Sequence, residues 1–160
     1  MPSTTITSLK SLVSSWTAPG QPGHMLVAPT PLRLCLLDGF LLFAPPVRAL
    51  QRHLAVKLFL RVPFDVARAR RAARSGYVTI EGWWVDPPGY VEKVVWPNYV
   101  RNHAWMFEGG DVEGRFNEKA VREEGILTPE GGWDGDMDET LRWAVQTVIA
   151  ELERIAGKGD

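Results

Sequence analysis

The chain of 160 residues contains a single cysteine, Cys35, so it cannot form an intramolecular disulfide or a cysteine-cluster zinc site. Cys35 lies inside an apolar run, where a buried inert thiol is expected rather than a nucleophile. Excess charge is missing too: 18 basic against 19 acidic side chains leave a net charge of −1. Nothing pulls the whole chain toward nucleic acid or an anionic membrane, and any polyanion site must come from local clustering. The longest nearly apolar stretch, Leu32 to Pro46, is interrupted by Arg33, Asp38, Pro45 and Pro46, which argues against a membrane span. Met1 to Ser15 is rich in Ser and Thr without an apolar centre, so it does not read as a signal peptide. The histidines, His24, His53 and His103, are far apart, and neither a metal-ligand spacing nor a Ser–His–Asp arrangement emerges. What remains is the composition of a soluble intracellular single domain with a sizeable core, expected in the cytoplasm or also in the nucleus.

Two stretches read as buried strands: Leu32–Leu37, ending at Asp38-Gly39, and Leu54–Val62, ending at Pro63. Their near-continuous hydrophobicity predicts parallel strands covered on both faces, and Gly39 to His53 has room for the short crossover helix such neighbours need. This is an α/β pattern. A helix is expected after Pro63, with Asp65 at its positive end, Val66–Arg74 as its body and Gly76 as its stop. Tyr77 to Trp105 is too irregular for a strand and reads as an ordered lid or loop followed by a helix near Tyr99. Glu108 to Asp136 reads as surface loops with one short strand near Ile126-Leu127. The last helix has cap and first-turn acids Asp136, Asp138 and Glu139, an apolar stripe of Leu141, Val145, Val148, Leu152 and Ile155, and a stop at Gly157. Its stripe is expected to pack on the sheet. Residues 1–31 are expected to be partly disordered, with one short amphipathic helix carrying Ile6, Leu9, Leu12, Val13 and Trp16.

Three features could carry chemistry. Arg68, Arg70, Arg71 and Arg74 follow a buried strand; on a helix Arg70 and Arg74 share a face, with Arg71 rotated by about 100°. Guanidinium groups that converge without nearby acids are unfavourable unless an anion or solvent separates them. Phosphate suits their planar fork, and a solvated basic face explains the spacing equally well. Asp38 ends a strand where α/β sheets place ligands, and a carboxylate there can hold magnesium or its water in phosphoryl transfer; an ordinary Asp-Gly turn is the equal alternative. The string from Ser75 to Tyr90 has aromatics that could stack on a planar base, or simply pack the loop onto its own domain.

These residues resemble the nicotinamide riboside kinases, and the insertion around Thr79–Trp83 resembles the fungal branch. Leu37-Asp38-Gly39-Phe40-Leu41-Leu42-Phe43 is similar to the segment after their third strand, and Arg68–Arg74 to their arginine-rich lid helix. Asp86-Pro87-Pro88-Gly89-Tyr90 and Val95-Trp96-Pro97-Asn98-Tyr99-Val100 match their block of the form DPPGY…VWPxY. The resemblance implies that residues 32–160 form the C-terminal part of a P-loop nucleoside kinase domain. Its fold would be Rossmann-like and three-layered, with parallel strands, an arginine-rich lid helix and a C-terminal amphipathic helix. The implied activity is transfer of the ATP γ-phosphate to nicotinamide riboside, giving the mononucleotide used for NAD. By that likeness Arg70 and Arg74 would contact ATP, Arg71 and Tyr77 the nucleoside, and Asp38 would act catalytically near magnesium. Gly132-Trp133-Asp134 would approach adenine. The partners implied are a nucleoside and ATP, with no nucleic acid and no membrane.

One departure is as informative as the match. No G-x-x-x-x-G-K-[ST] occurs in the sequence, although the family carries that loop upstream with two strands and a catalytic aspartate. The expectation is a truncated product or a descendant without its phosphate cradle, marginally stable and without kinase activity on its own. The alternatives are a non-catalytic nucleoside- or nucleotide-binding module and, last, a nucleic-acid binder using the arginines.

Overall fold

The computed structural model describes residues 3–129 and 136–157. In chain order the helices are α1 (Ser3–Trp16), α2 (Arg48–Gln51), α3 (Phe64–Ala72), α4 (Trp96–His103), α5 (Glu118–Glu123) and α6 (Met137–Ala156). The strands are β1 (Lys57–Leu58), β2 (Tyr77–Thr79), β3 (Gly82–Trp84) and β4 (Ile126–Leu127). Two compact units result, one of Met1–Asp38 with Asp134–Asp160 and one of Gly39–Trp133. No described helix is long and apolar enough to cross a membrane.

The first unit joins α1 to α6. Asp136 starts α6 by accepting the Glu139 N–H on its side chain at 2.8 Å, and Gly157 follows as its C-cap. The hydroxyl of Thr5, itself buried, donates to Asp138 Oδ2 at 3.1 Å and accepts from Arg142 Nη2 at 3.0 Å. Trp16 Nε1 donates to Glu153 Oε1 at 2.6 Å near the other end of the helix pair. Inside this unit the partner of α6 is therefore α1, where the sequence pattern predicts a sheet. The run Leu32–Leu37 departs from expectation as well. It has no strand assignment, Leu36 is 92% exposed, and Cys35 is exposed instead of buried. Hydrophobicity nominates a strand, but a ladder needs a neighbouring edge. No described strand pairs with these residues.

The second unit is α/β with one parallel pair, β1 beside β4, in register Lys57↔Ile126 and Leu58↔Leu127. The short strand expected at Ile126-Leu127 is thus present, while the long one expected over Leu54–Val62 contracts to two residues. Lys57 Nζ donates to the Glu124 carbonyl at 2.6 Å, tying the ladder to the end of α5. The core gathers Phe43, Phe59, Tyr99, Met106, Phe107, Val112, Val121 and Ile126. Phe59 meets Phe43, Phe107 and Phe116 edge-on, at centroid separations of 5.8, 6.4 and 6.1 Å. Residues 39–53 contain the short helix α2, but without a strand at Leu32–Leu37 they are not a crossover between parallel neighbours. Helix α5 was not expected: its cap is Asn117, which accepts the Ala120 N–H, and Val121 is its buried contact.

The aromatic stretch from Tyr77 contains a β-hairpin rather than an irregular loop. β2 and β3 pair antiparallel, with Tyr77 opposite Trp84 and Val78 opposite Trp83. β-branched and aromatic residues flank a two-residue connection, and Gly82 supplies the positive φ of 119° after it. A π-helical turn, Val91–Val95, then leads into α4, which bears Pro97 in its first turn and carries Tyr99 as expected.

Candidate functional site

The site grows from α3. Pro63 precedes the helix with φ −59°, Asp65 sits in its first turn, and the Phe64 N–H left open by helix geometry donates to Glu113 Oε1 at 3.0 Å. Phe64 also packs edge-on against Trp96 at 5.1 Å, which anchors α3 beside the start of α4. The helix ends at Ala72, with Ala73 as its cap, and the Arg74 N–H closes a turn onto the Arg71 carbonyl at 3.1 Å. Arg74 therefore stands beyond the helix, where the spacing argument places it one turn above Arg70 on the same face. Both Arg70 and Arg74 are exposed.

Arg71 is built differently. Its Nε lies 2.5 Å from Asp86 Oδ2, and its Nη2 donates to Asp86 Oδ1 at 3.2 Å and to the Tyr77 hydroxyl at 2.9 Å. The guanidinium carbon stands 5.4 Å from the Tyr77 ring centre and 5.5 Å from that of Tyr90. Asp86 Oδ1 additionally accepts Tyr77 Oη at 3.3 Å and Trp84 Nε1 at 3.0 Å. Strand alternation explains the gathering: Tyr77 and Trp84 are opposed and share one hairpin face, while Val78 and Trp83 on the other are 78% and 65% exposed. The hydrogen bond from Arg71 holds the Asp86 carboxyl below its ordinary range against the opposing effect of burial. The same bond raises Arg71 further, so this pair is charged at neutral pH.

The premise that the arginines converge without acids is thereby corrected. Arg71 has Asp86, and Arg68 lies 3.4 Å from Asp65 and 3.9 Å from Glu92. Of the candidates read from the sequence, Arg71 and Tyr77 come together. Arg70, in the last turn of α3, and Arg74, beyond its end, take no part in the hydrogen bonds that join Arg71, Tyr77 and Asp86. Asp38 is an exposed residue of the extended segment in the other unit. Gly132-Trp133-Asp134 lies outside the described residues. Sequence reasoning gave Asp86 no partner and Trp84 and Tyr90 no specific role. The available signal was the D-P-P-G-Y block itself, because a carboxylate ahead of two prolines is held in a restricted backbone.

No protein-family model matches the chain, and no solved structure does. The chain is 34% identical over 120 residues to a protein of Schizosaccharomyces pombe named nicotinamide riboside kinase, covering 75% of this chain and 49% of that one. To the protein of the same name from Saccharomyces cerevisiae it is 32% identical over 114 residues, 71% of this chain and 46% of the relative. To that of Eremothecium gossypii it is 39% identical over 88 residues, 55% and 36% of the two lengths. The chain thus spans about half the length, or less, of the curated relatives it matches. Over the part they share, this chain is similar to the nicotinamide riboside kinases of three fungi.

Proposed function

We propose that this chain serves the ATP-dependent phosphorylation of nicotinamide riboside to nicotinamide mononucleotide, as the lid-bearing portion of a P-loop-type nucleoside kinase. One observation carries the reading: the family's lid arginine, lid tyrosine and DPPGY aspartate meet in a single cluster, Arg71–Tyr77–Asp86. An ordered cationic group between two tyrosine rings suits a small polar ligand better than a long polyanion. Arg71 and Tyr77 are assigned to the nucleoside side of the lid. The exposed guanidinium groups of Arg70 and Arg74 have the donor chemistry that phosphate oxygens need, and they are assigned to ATP. When bound, ATP supplies the phosphoryl group.

The described residues contain no group of three or more His, Cys, Asp or Glu placed to hold a metal. Magnesium in phosphoryl transfer is held by one or two carboxylates together with substrate phosphates and water, and Asp38 is the carboxylate that the resemblance assigns to it.

A second reading has its own support. These 160 residues contain no G-x-x-x-x-G-K-[ST], so they bring no backbone cradle for the β- and γ-phosphates. Nucleoside binding without turnover is what they would give by themselves. Calorimetric titration of the purified chain with nicotinamide riboside, paired with an assay containing ATP and magnesium, tests both readings. Binding that is weakened by Arg71→Ala, without mononucleotide formation, is expected. Absence of any nicotinamide riboside binding would remove the assignment. Mononucleotide formation would instead overturn the non-catalytic reading.

A further inference from the structure

Asp86 is surrounded by more donors than an ordinary surface ion pair requires. Four hydrogen bonds reach its two oxygens, from Arg71 Nε, Arg71 Nη2, Tyr77 Oη and Trp84 Nε1. They come from one helix and both strands of the hairpin, so a single carboxylate ties α3 to β2 and β3. Oδ1 takes three of these donors and Oδ2 one, so most of the acceptor capacity of Asp86 is used by its own chain. Arg71 is the complementary case. Its Nε–Nη2 edge is occupied by Asp86 and Tyr77, while Nη1 has no hydrogen-bond partner among the described residues.

We propose that Asp86 is a positioning residue: it fixes the Nε–Nη2 edge of Arg71 and the hydroxyl of Tyr77 so that Arg71 Nη1 is presented to a ligand oxygen. A guanidinium held by one edge loses little rotamer freedom when a second acceptor arrives at the other. The side chains of Arg71 and Asp86 are 26% and 19% exposed, so the pair is partly shielded from water and its geometry is better defined than that of a surface bridge. Trp84 extends the arrangement into the hairpin, because its indole N–H ends on the same oxygen that accepts from Tyr77. The identity of the ligand rests on the proposed function, but the ordering of Arg71 by Asp86 does not.

The test separates these two levels. In the full chain without ligand, the Arg71 Nε–H signal is followed by proton–nitrogen correlation spectroscopy in the wild type, Asp86→Asn and Tyr77→Phe. A shifted, exchange-protected signal is expected in the wild type, retained in Tyr77→Phe and lost in Asp86→Asn. Nicotinamide riboside is then titrated into the wild type, Asp86→Asn, Arg71→Ala and the double variant. Asp86→Asn is expected to weaken binding about tenfold, the scale of one lost hydrogen bond to a charged group. Introduced into Arg71→Ala, the same change is expected to cost nothing more. A protected Arg71 signal that survives Asp86→Asn, or an equal loss in both backgrounds, would overturn the positioning role. A wild type that shows the protected signal and binds no nicotinamide riboside sinks the proposed function and leaves the ordering of Arg71 by Asp86 in place.

Discussion

The rings of Tyr99 and His103 stack at 4.7 Å, and His103 Nδ1 lies 2.9 Å from the Tyr99 carbonyl oxygen one helical turn back. His103 is fully buried, and its other faces meet the rings of Phe59 and Phe40. A carbonyl oxygen only accepts, so Nδ1 carries a proton and donates to it. No described residue partners Nε2.

Burial lowers the His103 pKa from its ordinary 6.5, with the bond to the Tyr99 carbonyl opposing the shift. The unfolded chain therefore takes up a proton at a higher pH than the folded one. Stability is intact above pH 6.5 and falls as pH drops below it toward the folded-state value, with a limiting slope of about 1.4 kcal/mol per pH unit for one proton. Urea unfolding midpoints between pH 7.5 and about 5 should show that fall in the wild type. In His103→Gln the portion of the slope due to this group should disappear.

Tyr99 is the partner with a superfluous polar atom. Its hydroxyl is buried without a partner among the described residues, and burial pushes its pKa up to about 12. Tyr99→Phe keeps the ring contacts with Trp96 and His103 while removing an unsatisfied group. The expected change in unfolding free energy is zero to a gain of about 1 kcal/mol. A loss beyond about 1 kcal/mol in chemical denaturation would point to a hydrogen bond of the hydroxyl, the usual net worth of such a bond.

Gly76 controls the entry to the hairpin. Its φ is +126°, and a Cβ there would come within 2.7 Å of the Trp83 indole ring. Gly76→Ala should therefore cost about 1–3 kcal/mol through backbone strain and a displaced Trp83. The effect should be local. Hydrogen exchange should accelerate at the amides of β2 and β3 while those around Met106 and Phe107 keep their protection.

Elements with chemical punctuation are legible in the sequence. Pro63 and Asp65 announced α3, Asp136 and Gly157 bracketed α6, and Tyr99 fell on its expected helix. These signals act within a few residues of the element they govern. What failed depends on a distant partner. Leu32–Leu37 has the composition of a strand, yet composition cannot supply the neighbouring edge. β1 keeps two residues of a longer apolar run because its ladder is only as long as β4. The tryptophans of the hairpin suggest loop packing, whereas strand pairing sets Tyr77 and Trp84 on one shared face. At the site, arginine spacing suggested phosphate, whereas the acid that holds Arg71 comes from 15 residues away. That pairing depends on how the hairpin folds back, and no local pattern encodes it.

Cys35 has a practical consequence. It is the sole thiol of the chain, and it stands on the surface of an extended segment. A maleimide dye should therefore mark every molecule once, at a known place in the smaller helical unit. A preparation kept in air without reductant should gradually join into covalent pairs through the same sulfur.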